Sequence, residues 1–270
     1  MKQLHTFAIE IDSILPSSIK YSICTLMSNP EEYAEMMQSF INAGFETSFC
    51  EYLYIDNSQQ NKYDAYAGLN KFLTLAKGTY IVICHQDILV NYDRIDVLEQ
   101  RISEMDILDN NWAVLGNAGA GGIKNIVYKL TNQLGELYSR GSVPQQVLSL
   151  DENFLLIKKA ANLSFSKNLC GFHFYGTDIC LIAKVLGYTT YVFDFNIIHK
   201  SEGKVDPSFE RIKNDLIQKY ITAFDGRYIQ TTMTNFYISG SRFENFFFEL
   251  KVVRFFARQY FKFKFRKLRE

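Results

Sequence analysis

The sequence predicts an α/β domain: a mostly parallel sheet flanked by helices, followed by a helical extension. Three observations predict it. Strand-like and helix-like stretches alternate from Ile19 to the glycine-rich run near Gly122, an order that gives parallel strands joined by helical crossovers. The helical stretches carry their own start and stop residues. Several strands end abruptly in polar residues, and sheets of this class bind ligands at the carboxyl ends of their strands.

The first strand is "IKYSICTLM". "NPEEYAEMMQSFINAG" follows as a helix with Asn29 as cap, Pro30 at the first helical position, Glu31 and Glu32 at the positive dipole end and Gly44 as stop. Its residues Tyr33, Met36, Met37, Phe40 and Ile41 share one face. "EYLYIDNS" is a strand ending in Asp56-Asn57-Ser58, and "YDAYAGLNKFLTLAKG" a helix stopped by Gly78. "TYIVIC" drives an apolar strand into His85-Gln86-Asp87 before "ILV" turns apolar again. A buried strand gains nothing from a carboxylate at its end, whereas a metal or phosphate site does. The next helix, "NYDRIDVLEQRISEMD", takes Asn91 as cap and keeps Ile95, Leu98, Ile102 and Met105 on one side. "WAVLGNAGAGG" reads as a strand running into a flexible glycine-rich turn, because neither GxxxxGK[ST] nor GxGxxG spacing is present.

The second half is less regular. "YKLTNQLGELYSRGSVPQQVLSLDENFLLIKK" alternates well enough for two or three strands, "YGTDICLIAKVLG" is a short helix, "YTTYVFDFNIIHKSEG" is a strand finishing in His199, and "DPSFERIKNDLIQKYITAF" is an amphipathic helix capped by Asp206. This divides the chain into a main domain, 1–224, and an extension, 225–270.

Composition bounds the function. The 270 residues are 47% hydrophobic with a formal net charge of zero, which excludes a disordered chain and a global field for nucleic acid. The five cysteines form no CxxC pair and their number is odd, so they read as reduced, buried thiols in a cytoplasmic protein. "MKQLHTFAIEIDSILP" lacks signal-peptide character, and no run is long and apolar enough to span a bilayer. In the extension, Lys251, Arg254, Arg258, Lys262, Arg266 and Arg269 recur at helical spacing opposite Leu250, Val253, Phe256, Tyr260 and Phe263. That pattern suits a helix lying on an anionic membrane, a helix docked on its own domain, or packing against a second copy.

Asp56 and Asp87 end successive strands and can share a cleft, where carboxylates take ribose hydroxyls or a divalent cation; His199 could add a nitrogen ligand. A strand-end Asp also serves as a turn or helix cap. Asp178, in "GTD", is either a helix cap or a general base beside a metal-bound substrate. Phe172, His173, Phe174 and Tyr175 would wall such a site.

Together, "YSICTLMSN", "LYIDNS", "GLNKFLTLAKGTYIVICHQDILV", "FHFYGTDICLIAKVLGY" and "IIHKSEG", in that order between Ile19 and Gly203, resemble the GT-A-fold, family-2-like glycosyltransferases. The group they are most similar to is the streptomycin-biosynthesis/rhamnosyl type, with "HQD" where most members carry DxD. The resemblance implies transfer of a sugar, with inversion, from a nucleotide-diphosphate donor to a sugar or lipid-linked acceptor. It further implies a divalent cation, Mn²⁺ or Mg²⁺. By position it gives donor contacts to Asp56, Asn57, Asn70, His85, Gln86 and Asp87, metal ligation to Asp87 and His199, and the catalytic base to Asp178. It leaves His173 and Tyr175 on the acceptor side. His85 departs from the first Asp of DxD, and Gly176 and Thr177 stand where an acid often precedes the base. The tail lies outside the resemblance; its membrane-facing reading suits a lipid-linked acceptor in surface polysaccharide assembly on the inner face of the membrane.

Two rivals differ in class. A sugar nucleotidyltransferase needs a glycine-rich basic loop after the first strand, and "TLMSNPEE" is acidic and has none. A degenerate protein of the same fold would bind a partner without catalysis.

Overall fold

The computed structural model describes residues 18–201 and 206–267, with 264–267 as backbone alone. The N-terminal segment, Glu202 and Gly203 of the "IIHKSEG" stretch, the Arg266 side chain and Arg269 lie outside these. The chain divides into two compact units, Met1–Ile212 and Lys213–Glu270. The division falls inside the helix whose end, Phe224, is the domain boundary read from the sequence.

The first unit follows the expected alternation: β1 (Tyr21–Met27), α1 (Pro30–Asn42), β2 (Cys50–Asp56), α2 (Ala65–Leu75), β3 (Tyr80–Cys84), β4 (Ile88–Leu89), α3 (Ile95–Leu108) and β5 (Trp112–Gly116). Then come β6 (Ala118–Gly122), β7 (Asn125–Asn132), β8 (Leu137–Arg140), β9 (Gln145–Gln146), β10 (Ser149–Leu150) and β11 (Phe154–Lys158). The unit's last complete elements are α4 (Tyr175–Val185), β12 (Thr189–Val192) and β13 (Ile198–His199), before α5 (Ser208–Phe224) begins.

The central sheet has the order β2-β1-β3-β11-β5-β12-β9. β2, β1, β3, β5 and β12 run the same way, and β11 and β9 run against them. The mostly parallel α/β expectation therefore holds, with one antiparallel strand at its centre. A second sheet, β10-β6-β7-β13-β4 with β8 on β7, lies beyond the carboxyl ends.

Local chemistry explains the ends of the elements. Asn29 caps α1 by accepting from the amides of Glu31 and Glu32 at 3.1 and 3.4 Å, with Pro30 following as expected. Asn91 does not cap α3. That helix starts at Ile95 without a side-chain cap, because Asn91 precedes its first turn and the nearby Asp93 accepts from the Asn196 amide instead, at 2.6 Å. One hydrophobic cluster joins α1, α3 and one sheet face through Tyr21, Phe40, Leu98, Ile102, Trp112 and Phe154.

Three strand readings change. The glycine-rich run is not a flexible turn: Ala118–Gly122 is a strand paired with β7 and β10. A Cβ on Gly119 would sit 2.4 Å from the Ser149 carbonyl oxygen, so the glycine serves close approach of two backbones. The stretch from Tyr128 holds β7 to β11 rather than two or three strands, since two-residue bridges leave no alternation to read. His199 ends a separate short strand, β13, that pairs with β4 and β7.

In the second unit a hairpin, β14 (Arg227–Gln230) and β15 (Asn235–Ile238), precedes the helices. It was not anticipated, because its strands are short and largely exposed. The helical tail is two helices, α6 (Arg242–Glu249) and α7 (Lys251–Lys267), broken where Leu250 is extended at ψ 135°. Arg254 is not on a solvated basic face; it bonds Glu249 at 2.9 Å and Asn235 at 2.7 Å. Val253 is partly covered, while Val252, Phe255, Phe256, Tyr260 and Phe263 are exposed. Among the described residues no helix is long and apolar enough to cross a membrane.

Candidate active site at the carboxyl ends of the strands

β3 delivers His85, Gln86 and Asp87 to the carboxyl edge, and β13 brings His199 beside them. One ligand atom from each of His85, Asp87 and His199 lies within 4.8 Å of the others. Asp87 Oδ1 is 3.6 Å from His199 Nε2 and 3.9 Å from His85 Nδ1. His199 Nε2 is buried and, among the described residues, has no hydrogen-bond partner closer than its 3.6 Å contact with Asp87. An unbonded imidazole nitrogen facing a carboxylate and a second imidazole is a donor set that fits a divalent cation. Two nitrogens with one oxygen suit Mn²⁺ better than Mg²⁺, which prefers oxygen throughout.

The electrostatics agree. Burial would push the Asp87 carboxyl up, but His199 and the Ser201 hydroxyl, with His85, outweigh it and hold it well below the usual range. Burial lowers the His85 pKa against the pull of Asp87, which favours the neutral imidazole that a metal needs. His85 Nε2 is 2.9 Å from the Tyr175 hydroxyl, so α4 fixes the ring from the other side.

The other expected site residues fall into distinct places. Gln86 joins strand ends: its oxygen accepts from the amides of Ser28 and Asn29 at 2.7 and 2.9 Å, and its nitrogen donates to Ser28 and Glu32. Asp56 accepts from the Ser58 hydroxyl and amide at 2.6 and 2.9 Å, which lowers its pKa, while it stays partly exposed at the end of β2. β2 is two strands from β3, or roughly 10 Å at ordinary strand spacing. Asn57 is buried and shapes the loop to Tyr63. Asn70 is occupied by both backbone groups of Phe165, at 2.8 and 3.0 Å. His173 lies 3.1 Å from Asp206 and against the Phe209 ring.

Asp178 is not brought to the opening. It is 0% exposed, and its two oxygens accept from the Ser166 hydroxyl at 2.6 Å and the Ser166 amide at 2.8 Å. The first turn of α4 points it inward, a direction that "GTD" alone does not disclose.

Sequence reasoning missed Asp151 and Glu152, between β10 and β11. The register Phe154↔Cys84 and the bond from the His85 amide to the Asn153 carbonyl, 3.0 Å, set this turn beside the cluster. Glu152 accepts from the Gly176 amide at 3.2 Å, and burial pushes its carboxyl up to about 8. Asp151 borders a cavity of about 520 Å³ over β6, β7 and β8, with Tyr128 and Tyr138 in its wall. "LDENF" gave only one hint, two adjacent acids before an apolar strand.

No protein-family model matches the chain. A curated Fuscovulum blasticum protein, "ATP synthase subunits region ORF 6", is 30% identical over 250 residues, covering 90% of this chain and 99% of its own. The chain belongs to the family of that protein. The ORF 6 name describes a reading frame and states no activity. Among solved structures, the chain is similar to S. aureus TarS 1–349. In the UDP complex the TM-score is 0.49 at 12% identity, covering 75% of this chain and 66% of that one. In the UDP-GlcNAc complex the TM-score is 0.48 at 13% identity, covering 75% and 67%. A197 from STIV matches with a TM-score of 0.40 at 10% identity, over 70% and 97%.

Proposed function

We propose that this chain is a GT-A-type glycosyltransferase that moves a sugar, with inversion, from a nucleoside-diphosphate donor to an acceptor hydroxyl. The observation that carries the reading is the His85–Asp87–His199 cluster at the carboxyl edge of the sheet, joined to the sequence resemblance built around "HQD". His85, Asp87 and His199 would hold a divalent cation, which supplies charge neutralisation for a departing diphosphate. Asp56 stands roughly two strand spacings away, a distance that suits the ribose or base of a nucleotide whose diphosphate lies at β3. Gln86 and Tyr175 keep the cluster in register.

The acceptor is a sugar or lipid-linked sugar, met at an anionic membrane surface on the cytoplasmic side. Supporting this, α7 exposes Val252, Phe255, Phe256, Tyr260 and Phe263 next to Lys251 and Lys262, an apolar face with a basic flank. Cosedimentation with phosphatidylglycerol vesicles, but not neutral ones, is the expected result. A salt-insensitive dimer without vesicle binding would replace the membrane with a second copy.

The test of the main reading is thermal unfolding with UDP, GDP and dTDP, each with and without Mn²⁺, followed by release of the nucleotide from the corresponding hexose donors. A ligand that binds only the folded state raises Tm. The reading expects a Mn²⁺-dependent rise with at least one nucleotide; no rise with any of them refutes it.

A further inference from the structure

We propose that Glu152, and not Asp178, accepts the proton of the incoming hydroxyl, and that the acceptor sugar occupies the adjoining cavity bordered by Asp151. This rests on the glycosyltransferase reading above and names the acceptor side of the same site.

Four observations carry it. Both Asp178 oxygens are taken up by Ser166 and the residue is fully buried, so no acceptor hydroxyl reaches it. Glu152 is partly exposed on the turn that the β3–β11 register holds against His85. Tyr175 ties the two together, with its hydroxyl 2.9 Å from His85 Nε2 and 3.3 Å from the Glu152 carbonyl oxygen. Beside Glu152, Asp151 opens onto the 520 Å³ cavity. The cavity offers the rings of Tyr128 and Tyr138 for the apolar face of a sugar and the Asp151 carboxylate for its hydroxyls.

The step balances without a further reactant. The acceptor oxygen bonds to the anomeric carbon as the bond from that carbon to the diphosphate oxygen breaks. The nucleoside diphosphate leaves with the electron pair, and the hydroxyl proton passes to the Glu152 carboxylate. Burial raises the proton affinity of Glu152, so the carboxylate that takes the proton grows in as pH rises toward 8, and turnover should rise with it.

A structural role competes with this one. Glu152 accepts from the Gly176 amide at the start of α4, where Phe174 is left-handed at φ 65°. Glu152→Gln separates the two roles, because the amide oxygen still accepts from Gly176 but the base is gone. Asp178→Asn is its counterpart: the oxygen can accept from the Ser166 amide and the nitrogen can donate to the Ser166 hydroxyl. Both variants are compared with wild type for stabilisation by UDP, GDP and dTDP with Mn²⁺, and for nucleotide release from the matching hexose donors in the presence of acceptor sugar. Glu152→Gln is expected to keep nucleotide stabilisation and lose at least about a hundredfold in turnover, while Asp178→Asn stays within about tenfold of wild type. Wild-type turnover by Glu152→Gln, or a folded, nucleotide-binding Asp178→Asn with none, overturns the inference and leaves the glycosyltransferase reading standing. Absence of nucleotide stabilisation in the wild type removes both.

Discussion

Replacing Glu152 with Gln changes how stability depends on pH, and the size of the change follows from the site. Burial raises the Glu152 carboxyl from 4.5 to about 8. Between those values the folded chain keeps a proton that the unfolded chain has lost, so stability falls as pH rises through the window. With about 1.4 kcal/mol per pH unit, the cost is near zero at pH 4, about 3 kcal/mol at pH 7 and about 5 kcal/mol above pH 9. Gln matches the protonated acid in shape and cannot ionise. Glu152→Gln and wild type should therefore have similar stability near pH 4.5, and the variant should be more stable by about 3 kcal/mol at pH 7. The assay is urea unfolding in chelator-containing buffer at half-unit steps from pH 4.5 to 8, fitted with one m-value. The cluster of His85, Asp87 and His199 is unchanged in both proteins, so its titration cancels. Parallel stability curves across the range would refute the claim that the folded site holds this carboxyl protonated.

Other consequences are as concrete. Asp87→Asn and His199→Ala should each weaken Mn²⁺ binding at least about tenfold by calorimetry, and wild type should prefer Mn²⁺ to Mg²⁺, given two nitrogen donors. Gly176→Ala would place a Cβ 2.3 Å from the Leu150 carbonyl oxygen and 3.1 Å from Glu152 Cγ. It should destabilise by about 1–3 kcal/mol in urea unfolding and reduce turnover by moving Glu152. Phe154→Ala removes a fully buried ring that contacts Phe193 and Phe195 and should cost about 3–5 kcal/mol in the same assay.

The alternation of β1 to β5 with α1, α2 and α3 was legible because its signals are local: an Asn29-Pro30 helix start, period-2 and period-3.6 apolar patterns, and Gly44 as a stop; Gly78 is not the stop of α2, which ends at Leu75 with Ala76 extended at ψ 135°. So was the polar end of β3, since "HQD" breaks an apolar run. The antiparallel place of β11, the two-residue strands β9, β10 and β13, and the strand formed by the glycine run were not. Each depends on a partner far along the chain, and a pairing leaves little trace in the residues that make it.

Which acids and imidazoles stand at the strand ends follows from residue order, since the chemistry of a carboxylate or an imidazole belongs to the residue. Which of them meet depends on packing between segments far apart in the chain. Asp178 and Glu152 are both acids beside short apolar stretches; one turn of α4 closes the first against Ser166, and the β3–β11 pairing sets the second beside His85. Burial and distance govern proton affinity and access, and both are properties of the packed chain.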